Sequence, residues 1–121
     1  MDTTLMLQTA LILFTIAALG GLTMAGVRFM AGRNPPAWLS MLHGLLAAAG
    51  LTLVIYAGYT GTVPTLARLA GGLLLLAAIG GAYLNLGFQQ KQRLLPATIV
   101  VGHAVLAVIG FLCLAVAVLR G

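Results

Sequence analysis

Charged residues cut this chain into four long apolar stretches. Residues 3–27, 34–67, 69–90 and 94–119 contain no Asp, Glu, Lys or Arg. About 20 apolar residues in helical form cross the hydrocarbon of a bilayer. A helix satisfies its own backbone hydrogen bonds there, where no water can. The pattern predicts four transmembrane helices at about 5–30, 37–59, 67–89 and 95–119. That is an all-α integral membrane four-helix bundle, with one transmembrane domain over 1–121.

Composition leaves little room for another class. The chain is 62% hydrophobic and 6% charged, against about a quarter charged in an ordinary soluble domain. The formal charge of +5 rests on six basic residues, Arg28, Arg33, Arg68, Lys91, Arg93 and Arg120, against the single acid Asp2. So few charges read as topology signals and lipid-headgroup contacts rather than as a nucleic-acid surface. The bilayer is therefore the first expected partner. The N-terminus has Asp2 in place of a basic region, and its first apolar run is long enough to span, which argues against a cleaved signal peptide. The lone Cys113 excludes an internal disulfide and reads as a packing residue.

A shift of 60 residues superposes the chain on itself. His43 falls on His103, Arg33 on Arg93, Pro36 on Pro96 and Gly50 on Gly110, and 14 of 60 positions are identical without a gap. Abundant Ala and Leu explain some matches, but not the rare His, Arg and Pro in register. The expectation is two tandem two-helix repeats, 1–60 and 61–121, related by a pseudo-twofold axis along the membrane normal. The second and fourth helices then carry the only two histidines at one depth. Around them runs a helical stripe of small residues, Ala47 and Gly50 in one unit and Ala107 and Gly110 in the other. "AALGG" in the first helix matches "AAIGG" in the third and brings Gly20, Gly21, Gly80 and Gly81 to the same layer. The prolines suit the first turn of a helix, which puts each histidine about 10 Å along it.

Ionisable groups inside a bilayer are expensive and are functional candidates by default. Two imidazoles from helices across a bundle can clamp a haem iron from both faces. The small residues would make room for the porphyrin, and Arg28, Arg33, Lys91 and Arg93 in the adjoining loops could pair with its propionates. The expected site is thus His43 and His103 as axial ligands of one haem b. Three other readings use the same residues. Histidine can simply hydrogen-bond a neighbouring helix in a structural helper subunit. It can bind a bare metal, although two histidines are a thin ligand set and Met24 and Met41 have no methionine counterparts. A small ion transporter is the last, and the chain lacks the polar lining such a path needs.

Paired histidines on the second and fourth helices of a four-helix membrane bundle resemble the haem-ligating pattern of membrane b-type cytochromes. The resemblance rests on His43 and His103 with their small neighbours rather than on a diagnostic motif. It implies electron transfer with a quinone or a redox protein, by a six-coordinate iron with no open site for catalysis. Larger members of that class hold two haems on four histidines, whereas this chain allows one. The loops after the first and third helices carry four basic residues, the other side two. The positive-inside rule puts the four-charge side in the cytoplasm, with both termini outside, in a bacterial inner membrane. Trp38, Tyr56, Tyr59 and Phe29 read as interface anchors, and a homodimer is compatible with so small a bundle.

Overall fold

A computed structural model describes residues 2–121. It contains four helices, each long and apolar enough to cross a membrane. They are α1 (Thr3–Met30), α2 (Ala37–Thr60), α3 (Thr65–Leu84) and α4 (Ala97–Arg120). At the end of α3 the chain continues as a π-helical turn, Asn85–Gln89. The ends agree with the sequence expectation to within a few residues. Two departures have clear causes. Pro36, Pro64 and Pro96 are the caps immediately before their helices rather than first-turn residues, each with φ near the proline value (−59°, −56° and −67°) and extended ψ. A proline there breaks no helical hydrogen bond, because a cap N–H needs no helical partner. Pro64 also starts α3 earlier than hydrophobicity alone suggests. At the first helix the only acid of the chain is the cap: Asp2 Oδ1 accepts from Leu5 N at 2.7 Å, a helix N-terminus being where a carboxylate is most favourable.

α1 packs along α2 and α3 along α4, forming two helical hairpins. Lighter seams, α2 on α3 and α1 on α4, close the bundle, so α2 and α4 face each other across its diagonal. The outward positions are apolar: Leu22, Leu45 and Trp38 are each more than three-fifths exposed. On a soluble protein so much bare apolar surface would drive aggregation; against lipid tails it is the matching surface.

The interior has two parts. Towards the chain termini, Met6, Ala10, Phe14, Val54, Leu74 and Leu114 belong to one buried cluster drawn from all four helices. At the loop end a smaller cluster, Leu84, Leu95 and Val100, lies within the second hairpin. There the two hairpins are tied by polar bonds. Asn34 donates from Nδ2 to the Arg93 carbonyl (2.6 Å) and accepts at Oδ1 from Leu95 N (2.9 Å). Gln89 Nε2 donates to the Pro35 carbonyl (2.8 Å), and Arg28 Nε to the Leu95 carbonyl (2.7 Å).

The loops that follow α1 and α3 each use one left-handed residue, Gly32 with φ 68° and Gln92 with φ 56°. Glycine adopts that conformation freely, whereas a residue with a Cβ is strained by about 1 kcal/mol or more. Gln92→Gly should therefore stabilise the bundle by about 1 kcal/mol and Gly32→Ala should destabilise it by a similar amount. Thermal unfolding in detergent, followed by circular dichroism, measures both; equal midpoints for Gln92→Gly and the parent would contradict the strain.

Candidate functional site

His43 lies six residues into α2, counted from Ala37, and His103 six residues into α4, counted from Ala97. At 1.5 Å per residue each imidazole is rooted about 9 Å from the loop end of its helix. Both rings turn towards the bundle and are half-buried. The His43 Nδ1–H donates to the Ala17 carbonyl of α1 at 2.7 Å, and the His103 Nδ1–H to the Ala77 carbonyl of α3 at 2.6 Å. A carbonyl can only accept, so the hydrogen of each neutral imidazole resides on Nδ1 and the Nε2 lone pair is left for another partner. Holding one ring nitrogen on a backbone carbonyl so that the other can ligate is the usual way a protein orients a metal-binding histidine.

The two ring centres are 6.2 Å apart, with planes at 77°. Two imidazoles on opposite sides of one metal atom have centres about 6 Å apart, with metal–nitrogen bonds of about 2 Å and about 1 Å more from nitrogen to ring centre. Crossed planes are compatible with that arrangement, because each ring can turn about its own metal–nitrogen bond.

The glycines divide into two groups. Gly20 and Gly21 face His43, and Gly80 and Gly81 face His103. A Cβ on Gly21 or on Gly81 would stand 3.0 Å from the Cε1 of the adjacent imidazole, tight enough that the ring would have to give way by a few tenths of an ångström. These glycines make the notch in which each imidazole sits against its own hairpin partner. Gly50 and Gly110 are used otherwise. A Cβ on Gly50 would meet the Phe14 ring at 2.9 Å, and one on Gly110 the Leu74 side chain at 2.9 Å. They admit core side chains of α1 and α3 rather than opening towards the histidines. Ala47 and Ala107 lie one turn beyond the histidines and are half-buried, Ala47 against the large core cluster.

Of the cations at the loop end, Arg28, in the last turn of α1, is half-buried and its Nε is committed to the Leu95 carbonyl. Its guanidinium also lies 5.4 Å from the centre of the Phe29 ring, within cation–π range. Arg33, Lys91 and Arg93 are exposed in the loops. The sequence gives no hint of the clasp by Asn34, since its counterpart sixty residues on is Leu94. Nor does it signal the histidine-to-carbonyl bonds, which depend on backbone atoms that any residue supplies.

Among the described residues no group of three or more His, Cys, Asp or Glu could hold a metal ion. A bare zinc site needs three or four such donors, so two imidazoles suit a centre that brings its remaining ligands with it, as a porphyrin does. Met41 is mostly exposed on the outer surface and does not add a thioether to the pair. No protein-family model, curated protein or solved structure matches this chain.

Proposed function

We propose that the bundle is a membrane electron carrier holding one b-type haem, with His43 and His103 as its two axial ligands. The observation that carries this reading is the pair itself: two Nδ1–H groups fixed on the Ala17 and Ala77 carbonyls, two free Nε2 lone pairs, and ring centres 6.2 Å apart. The donor set and its spacing fit a haem iron. Bound there, haem would supply a reversible one-electron couple.

The remaining work falls to the chain. The carbonyls of Ala17 and Ala77 hold each ring in one tautomer and one orientation. With both imidazoles engaged, a haem held by His43 and His103 would have no position open to oxygen or water. The apolar helices exclude solvent, and Arg28, Arg33, Lys91 and Arg93 at the loop end could pair with the carboxylates of a bound haem. Paired contacts sixty residues apart support a doubled hairpin: His43 on Ala17 with His103 on Ala77, Phe14 over Gly50 with Leu74 over Gly110. The charge bias supports a topology with these loops on the cytoplasmic side, and the reading takes the membrane to be a bacterial inner membrane.

The test is spectroscopic. Protein expressed in membranes and purified in detergent should be coloured, or become so with added hemin, and should give a sharp Soret band and resolved visible bands after dithionite. One observation favours a second reading, a colourless structural subunit: each imidazole already has a hydrogen-bond partner and a glycine notch. Protein that stays colourless after added hemin would establish that reading and end the first.

A further inference from the structure

Where an electron carrier of this shape exchanges electrons depends on how near the site lies to each end of the bundle. His43 is six residues from the loop end of α2 but 17 from its other end, Thr60, and His103 stands likewise between Ala97 and Arg120. Along the helices that is about 9 Å against about 26 Å. The near end also has one sign of charge. Arg28, Arg33, Lys91 and Arg93 belong to it, while the only acid, Asp2, caps α1 at the far end. The backbone beneath those cations is fixed by the bonds from Asn34, Gln89 and Arg28 between the two loops. Arg33, Lys91 and Arg93 therefore project from a preorganised platform, the kind of surface that binds without first paying an ordering cost.

An open groove between α1 and α4 runs beside His103, lined by Ala25, Phe29, Val101, Val105 and Val108. Its lining has no polar side chain to hydrogen-bond the carbonyl of a quinone.

We propose that the loop face is the docking surface for an acidic, water-soluble one-electron carrier protein, a partner for the haem site proposed above and dependent on that reading for its redox role. Opposite charge steers such a partner to the face nearest the histidines and orients it there. In each encounter the reduced carrier loses one electron and the bundle gains one; no bond is made or broken and no proton need move.

The experiment uses the full chain in nanodiscs of neutral phosphatidylcholine, which expose both faces. The probes are a small acidic [2Fe–2S] ferredoxin and, as a control, a basic c-type cytochrome. The ferredoxin should bind and the cytochrome should not. The ferredoxin affinity should fall at least about tenfold between about 50 and about 300 mM salt, as screening shortens the reach of the charges. Neutralising the face with Arg33→Gln, Lys91→Gln and Arg93→Gln together should weaken binding by at least about tenfold, and Arg68→Gln at the far end should leave it unchanged. Equal binding of both probes, or no effect of the triple variant, overturns the proposal. So does loss of ferredoxin binding when anionic phosphatidylglycerol is included, which would assign the cations to lipid headgroups. The visible spectrum of each sample separates the two ideas: a coloured bundle indifferent to ferredoxin fails only the docking surface, and a colourless one that binds ferredoxin fails only the haem.

Discussion

His43→Ala and His103→Ala should each abolish the low-spin haem spectrum and reduce haem retention by at least about tenfold, the loss that even an outer-shell partner of a metal ligand can bring. The two effects should be alike, because each histidine has the same kind of anchor, a carbonyl on the neighbouring helix. Folding is expected to survive either change. Losing a half-buried imidazole leaves a cavity, yet the carbonyls it releases still belong to helical turns of α1 and α3. Added imidazole offers a decisive check. If ligation is what was lost, free imidazole entering the vacated space should restore the low-spin bands, whereas a misfolded bundle would stay unresponsive. Survival of the spectrum in either alanine variant would rule out symmetric ligation.

The second large effect is expected at Gly21 and Gly81. A Cβ on either would approach within 3.0 Å of the imidazole it supports, and the further carbons of valine would enter the ring itself. Gly21→Val should push the His43 ring off the Ala17 carbonyl, and Gly81→Val should do the same to His103. Overpacking of this kind typically destabilises by about 1–3 kcal/mol. The larger expected consequence is functional: an imidazole pushed from its notch should no longer be aimed at the iron of the proposed haem. Haem retention should drop by at least about tenfold, as when an orienting partner is removed. Gly26→Ala is the matched control, since a Cβ there meets nothing within 4 Å. It should bind haem normally and gain up to about 1 kcal/mol, because alanine is the better helix residue. If Gly21→Val and Gly26→Ala retain haem equally, the notch has no role in aiming the ligand.

Much of this arrangement is legible in the sequence because bilayers impose few solutions. The charge-free runs fix four helices, and the rare residues His43 and His103 in register place a pair at one depth. The glycines are legible as small, but not as to what they face. Gly21 and Gly50 are one residue type in two similar stripes, yet the first adjoins an imidazole and the second the Phe14 ring. That difference comes from the rotation of α1 against α2, which periodicity alone leaves open. The π-helical turn at Asn85–Gln89 is illegible for another reason: the hydrophobic pattern of "NLGFQ" suits an α-helix as well. Asn34 carries no signal because a single polar residue in a loop has many uses before its neighbours are placed.

The two fastenings of the bundle have a mechanical consequence. One lies at the loops, where Asn34, Gln89 and Arg28 stitch hairpin to hairpin; the other lies towards the termini, where Phe14, Val54, Leu74 and Leu114 interlock. The imidazoles occupy the stretch between. Spreading the helices there requires neither seam to come undone, only a bowing of rods pinned above and below. A flat guest gripped by the imidazoles, as proposed, would therefore sit between two fastenings, braced from above and from below.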